Sequence, residues 1–580
     1  MKQLSRLFFS IALLFAVCAT SDAVPAKRVL QQLKQSDGTT VTIMPIGDEW
    51  RHGFATTDGL TVNLVNGNAY YCVAGKQSDV LAHDLADRSQ AEQDFINANK
   101  QQMRLDAQTS DAPRRVKAAA PMKATQVPTS GTPKVPILLV EYKDKAMSND
   151  SAAFVKHYTS GDKSVYQYFY DQSNGLYKPE FDVWGIYTLS GNRELYGGNV
   201  NGQDQGVGTM VGEAVDMAAK AGVDFSQYDN DGDGYCDVVI VVYAGVGEAQ
   251  ASNTVPESVW PCQWSLSSAK YYSDGKGVRT YNNTKVDKFA VFNEVRGSRD
   301  SGTTLDGIGT FCHEFSHCLG LPDFYETTYD YGYYGMGNWS LMNSGCYNDE
   351  GDTPVGYSAY EKNFMGWIDL INPVPNTQYT LAAMNSGTAA NDQAIKIVSD
   401  LNADEYFILE NRKQQGWDEF IPDEGLLIHH YTYIASRWQA NTVNNEAIQL
   451  ATLMPADNSL SESNENLDCW PYTSGRLKNT AFTNTSKPAS TLNLNADGTL
   501  ASSTGGAGSL GKPVTEIVLN DDGTVTFWYD KGNTTAVNAI EVDEIAEDDV
   551  IYTLQGIRIS NRNQLTKGIY IVNGKKTVIQ

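Results

Sequence analysis

Histidine is scarce in this 580-residue chain, with 7 in all, and basic residues are few: 44 Lys and Arg stand against 69 Asp and Glu. The resulting net charge of −25 argues against nucleic acid and anionic membrane surfaces as partners, because the summed field of the chain repels like charge. Long apolar runs are also missing after the first residues, so no helix of the mature chain would span a bilayer. Cysteine numbers 8, and an odd seven remain beyond Cys18, namely Cys72, Cys236, Cys262, Cys312, Cys318, Cys346 and Cys469. An odd count cannot close into a complete disulfide framework unless a segment carrying one of them is removed, and spacing alone gives no connectivity.

The start of the chain has the order of an export signal. Lys2 and Arg6 precede the apolar run Leu7–Val17, and small residues from Cys18 to Ala23 follow, with cleavage expected after Ala19 or Ala23. Lipidation at Cys18 is the weaker alternative, since Phe15-Ala16-Val17-Cys18 is a poor lipobox. The expected division is signal peptide 1–23, prosegment 24–120, linker 121–134, catalytic domain 135–372, β-rich domain 373–532 and a tail module 538–580. Short alternating strands such as Thr40–Met44 and Leu60–Leu64, split by Asp-Gly and Asn-Gly turns, mark the prosegment, and a helical stretch runs from about Ser89. The region from Thr109 to Pro136, with Arg114-Arg115, reads as exposed and open to cutting.

Against that scarcity, two of the histidines stand four apart in His313-Glu314-Phe315-Ser316-His317-Cys318-Leu319-Gly320-Leu321-Pro322-Asp323. Four residues is one helical turn, so both imidazoles can reach one zinc ion, with Glu314 beside the open coordination position as general base. Gly320 can take the left-handed conformation that ends a helix and Pro322 prevents its resumption, so the chain can turn and bring Asp323 back as third ligand. The helix is expected to start with Thr304 or Asp306 as N-cap. Cys312 and Cys318 read as buried thiols, as does Cys72, although a Cys72 thiolate on the zinc would be one route to latency.

A second constellation is Asp229-Asn230-Asp231-Gly232-Asp233-Gly234-Tyr235-Cys236-Asp237. Oxygens of Asp229, Asp231, Asp233, Tyr235 (by its carbonyl) and Asp237 match the first part of an EF-hand calcium loop, though Ile240 stands where the bidentate carboxylate belongs. Buried strands Val135–Tyr142 and Asp237–Tyr243 alternate with helices, so the expected class is α+β: a zincin/metzincin-like catalytic domain whose active-site helix lies on a mixed sheet, then a β-sandwich-like domain and a small β tail. Met342 is the candidate for a methionine turn beneath the zinc, and Tyr347 a candidate for assisting the oxyanion. Peptide-bond hydrolysis in protein or peptide substrates is the expected chemistry. The alternative is a surface adhesin or glycan-binding protein on a silent scaffold, which predicts a degenerate site; here ligands and base are all present.

These segments, together with Trp339–Gly345, Tyr243-Ala244-Gly245, Met365-Gly366-Trp367, Leu409-Glu410-Asn411-Arg412 and Gly416-Trp417-Asp418, resemble the M6 metallopeptidases of the immune inhibitor A type over roughly residues 40 to 530. The resemblance implies a secreted zinc endopeptidase made with a propeptide, zinc on His313, His317 and Asp323, and calcium near the acidic loop. Ser316 departs from the Gly common at that position of the family. The tail from Val550 to Lys576 resembles sorting domains of type IX secretion, which implies contact with that machinery and an extracellular or cell-surface destination after passage through the periplasm.

Overall fold

In a computed structural model, residues 24–48, 51–103, 127–199, 204–251, 254–328, 332–474, 477–502 and 506–531 are described, with residue 550 and short strands between 551 and 579. The signal segment and Arg114-Arg115 lie outside them, as does most of the tail.

Residues 31–81 form a six-stranded antiparallel meander in chain order, from Gln31–Lys34 to Lys76–Leu81. The turn residues explain the sequential order: Asn66 and Gly67 both take positive φ, as a tight hairpin turn requires. One face buries Val41, Ile43, Val62 and Tyr71, and helix Gln90–Asn99, capped by Ser89, closes it with Ile96. Cys72 is buried here, where burial pushes its thiol up to about 11, and it is not among the groups that converge with His313, His317 and Asp323.

The catalytic region is built on a five-stranded sheet. Strands Glu180–Thr188, Lys134–Glu141, Val239–Tyr243 and Lys288–Asn293 run parallel side by side, and Cys262–Ser265 adds an antiparallel edge. Val239–Tyr243 is buried at all five positions, which is why it reads as an unbroken apolar run rather than an alternation. Mixed sheets with helices give the α+β class. Residues 127–133 pack on this core rather than running free: Val127 is buried, and the Thr129 carbonyl accepts the Trp367 indole N–H at 2.7 Å.

Beyond residue 373 a four-stranded antiparallel sheet (Ile395–Val398, Glu405–Arg412, Gly425–Thr432, Ala451–Leu453) and a three-stranded one (Thr377–Leu381, Val525–Tyr529, Val514–Leu519) share an apolar core. Alternation along the central strands then decides what lies on the other face. Phe407, Leu409, Leu426 and Ile428 enter that core, whereas Tyr406, Ile408, Leu427 and Tyr431 join the core of the catalytic region. The two regions are therefore fused through one sheet. Buried Arg412 reinforces the seam, donating to Glu410 at 2.8 Å, to Asp418 at 2.6 and 2.8 Å and to the Gly356 carbonyl at 3.0 Å. Strands between 551 and 579 form a small antiparallel sheet at the C-terminus. None of the seven described cysteines is joined in a disulfide.

Candidate active site

Helix Ile308–Cys318 is buried along its whole length. Phe311 and Phe315 anchor its inner side, Phe311 stacking on Phe292 with centroids 4.6 Å apart and Phe315 meeting Phe169 and Phe181 edge-on at 5.3 and 5.6 Å. Its N-cap is Gly307, with no side-chain cap. Asp306, expected there by sequence, accepts instead from Gln250 and Asn293 amides at 2.9–3.1 Å, because a buried carboxylate needs more donors than one helix end supplies. At the other end Gly320 adopts φ +106°, its N–H reaches the His317 carbonyl at 2.9 Å, and the chain reverses.

That reversal brings Asp323 to the two histidines. Oδ1 of Asp323 lies 3.1 Å from Nε2 of His313 and 3.2 Å from Nε2 of His317, and the two Nε2 atoms are 3.1 Å apart. Each imidazole is aimed from behind: Nδ1 of His313 donates to the Leu341 carbonyl and Nδ1 of His317 to the Leu321 carbonyl, both at 2.7 Å. With Nδ1 carrying the proton, both Nε2 lone pairs and a buried carboxylate oxygen face one point, an arrangement that repels itself without a cation. Donors about 3.3 Å apart are what a tetrahedral zinc ion with bonds of about 2.0–2.1 Å would require, so the set fits the metal. Burial raises the Asp323 carboxyl, and only when the His317 and His313 rings carry a second proton does their charge outweigh burial and hold the group well below the usual range, so in the neutral tautomer it is the cation that must balance the carboxylate.

Two partners of this site were not legible in the sequence. Asn441, 118 residues downstream, accepts from the Asp323 backbone N–H at 2.6 Å and donates its amide to Asp323 Oδ2. Its side chain thus fixes the third ligand from outside the sheet region that carries the helix. Val24, at the start of the described residues, is buried and donates its backbone N–H to Glu314 Oε1 at 2.6 Å. Trp260 Nε1 donates to the Val24 carbonyl at 3.2 Å, and the Tyr347 hydroxyl to the Pro25 carbonyl at 2.7 Å. Nothing local in sequence marks either contact, since each joins segments more than a hundred residues apart.

Met342 is buried one residue after Leu341, whose carbonyl holds His313, and its own carbonyl accepts from the Phe324 N–H at 2.8 Å. The methionine segment is thereby pinned to the chain that carries Asp323. Ser316 points away from the ligands, donating to the Cys312 carbonyl at 2.6 Å and meeting the Tyr357 hydroxyl.

In the acidic loop, Asp229, Asp231 and Asp237 bring carboxylate oxygens within 4.8 Å of one another. Asp233 does not join that group; its Oδ1 accepts from the Tyr235 N–H at 2.8 Å. Gly232 and Gly234 take φ of +77° and +89°, which lets the loop fold back on itself. Burial, with the charges of Asp231 and Asp229 adding, raises Asp237 to about 6 against two hydrogen bonds from Asn230. Three clustered acids, one of them destabilised as an anion, suit a hard divalent cation.

Residues 139–367 match the family described as "Immune inhibitor A peptidase M6, catalytic domain". Immune inhibitor A of Bacillus thuringiensis is 28% identical over 233 residues, covering 35% of this chain and 33% of that protein. Pre-pro-metalloprotease PrtV of Vibrio cholerae is 27% identical over 222 residues, covering 35% of this chain and 23% of that one. The chain thus spans about a third or less of the length of these curated relatives. The crystal structure of metalloproteinase-II from Bacteroides fragilis aligns over 59% of this chain and 91% of that chain at 12% identity with a TM-score of 0.19, too low to bear on the fold. The segment that matches the M6 metallopeptidase catalytic domain, residues 139–367, is the one that contains the converging histidines, Glu314 and Asp323, and the curated relatives that match it include a metalloprotease by name.

Proposed function

We propose that this protein is a secreted zinc endopeptidase, made as a latent precursor, that hydrolyses peptide bonds with Glu314 as general base. The observation that carries the reading is the meeting of His313, His317 and Asp323 at one point, one residue from Glu314, inside the M6 domain. When bound, zinc would supply Lewis acidity that polarises the scissile carbonyl and acidifies a water. The chain's own groups do the rest. Leu341 and Leu321 carbonyls keep both Nε2 lone pairs forward, Asn441 holds Asp323, and Glu314 takes a proton from the water and hands it to the departing amine.

Latency is supported by Val24, whose N–H occupies Glu314 and whose segment lies in the cleft. PrtV, by its name a pre-pro-metalloprotease, is consistent with reading residues 1–23 as signal and 24–120 as prosegment. No helix of the described residues is long and apolar enough to cross a membrane. The export reading rests on the N-terminal signal pattern and on the C-terminal tail as a sorting module. The Asp229–Asp237 loop is proposed as a structural calcium site.

One titration tests the metal assignments. A chelator should abolish cleavage of casein, zinc alone should restore it, and calcium should restore the melting temperature. Activity that survives full chelation would end the zinc reading, and a melting temperature indifferent to calcium would end the loop assignment. For latency, N-terminal sequencing of the active secreted form should find a start near residue 120; a start at residue 20 or 24 is the contrary result.

A further inference from the structure

The contacts of residues 24–27 describe more than a plug. In peptide hydrolysis the general base ends by protonating the amine of the residue just after the broken bond, so that nitrogen must sit within hydrogen-bond reach of the base. Val24 N is in that position, 2.6 Å from Glu314 Oε1. The Val24 nitrogen therefore stands where the leaving nitrogen of a cleaved bond would, and Val24, Pro25, Ala26 and Lys27 are the first residues on that leaving-group side. Two side-chain donors then meet two successive carbonyls: Trp260 Nε1 the Val24 carbonyl, and the Tyr347 hydroxyl the Pro25 carbonyl. Both belong to the catalytic region, and Tyr347 approaches the cleft from the segment just beyond Met342. Backbone carbonyls are common to every peptide, so such donors hold substrate without selecting its sequence.

Selection comes from the side chains. Val24 is wholly buried within the catalytic core, so the site that receives it is apolar and sized for a small β-branched residue. Pro25 lines a shallow pocket with Tyr325, Tyr334 and Asn343, a more open and aromatic surface. Further along, the Lys27 N–H donates to the Ala249 carbonyl at 3.2 Å and its ammonium pairs with Glu350.

We infer that residues 24–27 lie in the leaving-group-side substrate groove as a product would: Trp260 and Tyr347 are the substrate-positioning residues there, and the enzyme prefers a β-branched aliphatic residue immediately after the cleaved bond. The inference rests on the peptidase reading and adds to it a substrate class. The burial of Val24 sets the preference. A charged residue in that position would lose its hydration with no partner, whereas Val or Ile fills the space.

The test uses the zinc-loaded full chain carrying Val24→Asp, whose carboxylate should vacate the apolar site and clear the cleft; Val24→Gly serves if that variant does not fold. Among peptides differing only at the residue after the cleaved bond, those with Val or Ile should show kcat/KM at least about tenfold above those with Asp or Lys. The tetrapeptide Val-Pro-Ala-Lys should inhibit competitively and better than Asp-Pro-Ala-Lys. Tyr347→Phe in the same background should raise KM by about fivefold more for substrates extended two residues past the bond than for those ending after one, with the loss in KM rather than kcat. A flat side-chain profile, or non-competitive behaviour of the tetrapeptide while casein is still cleaved, overturns the groove assignment and leaves the peptidase reading in place. Absence of any zinc-dependent cleavage of casein defeats both.

Discussion

Glu314 shares a helix with His313 and His317 but is proposed for a different task, and substitution can separate the two. Because Glu314 lies outside the His313, His317 and Asp323 cluster, Glu314→Ala should keep stoichiometric zinc while casein cleavage falls by about 10²–10⁴-fold, the usual worth of a general base. His313→Ala removes a ligand and should lose both. Metal analysis beside a cleavage assay checks the pair; a Glu314→Ala protein that cleaves casein normally would remove that residue from the mechanism. That His313, His317 and Asp323 meet was readable in advance because a helix places positions four apart on one face and a glycine ends it, both of which are local rules. Asp306 was misread as the cap for a reason equally local: its sequence position suits a cap, but buried amides of Gln250 and Asn293 claim it.

The helix is held between elements that approach it from distant parts of the chain. Its ligands take their orientation from the loop that carries Leu341 and Met342, from its own reversal at Gly320, and from Asn441 at the end of the short helix Ala435–Gln439. Asn441 supports the third ligand by both its donor and its acceptor, which a backbone carbonyl could not do. Asn441→Ala should therefore weaken zinc binding by about 10–100-fold while leaving the fold intact, measured by competition with a metal indicator and by circular dichroism. Unchanged zinc affinity would reduce Asn441 to packing. The sheet of the β-rich region acts similarly at larger scale: one strand face, Tyr406 and Ile408, belongs to the catalytic core, and the other, Phe407 and Leu409, to its own. A segment-by-segment reading marks a domain boundary near residue 373. Alternation along one strand makes that boundary a shared wall.

Across the whole molecule, the acidic side chains are not only on the surface. Asp468 is buried behind the loop that leads to Met342, accepting the Trp339 indole N–H at 2.9 Å, and burial raises its carboxyl to about 8, with Glu465, Asp457 and Asp423 adding to the shift. A folded pKa raised above the unfolded value of 3.8 favours the protonated group, so the stability it contributes is present at low pH and is lost as pH rises through about 8. Asp468→Asn keeps an acceptor for Trp339 and cannot ionise. Its melting temperature, compared with the parent, should gain steadily from about pH 4 to about pH 8 and level off above that; a difference that stays constant across this range would place the ionisation elsewhere. Glu465, raised to about 7 by burial beside Asn338, should leave part of the parent's alkaline loss in the variant.

By itself the sequence determined the helix that carries the paired histidines, its glycine exit, the returning aspartate, the acidic loop and the run of strands on either side. Each of these follows from periodicity and turn chemistry within a few residues, where the chain's own geometry leaves little choice. Tertiary structure alone decided which distant groups complete the site: Asn441 on Asp323, Leu341 on His313, and Val24 on Glu314 with Trp260 and Tyr347 behind it. Those partners are single polar atoms delivered by segments between about thirty and three hundred residues away, and a lone Asn or backbone N–H has no periodicity to announce it. What places them is burial: once the core closes, every polar atom inside must find a partner, and at this site the partners come from elsewhere in the chain.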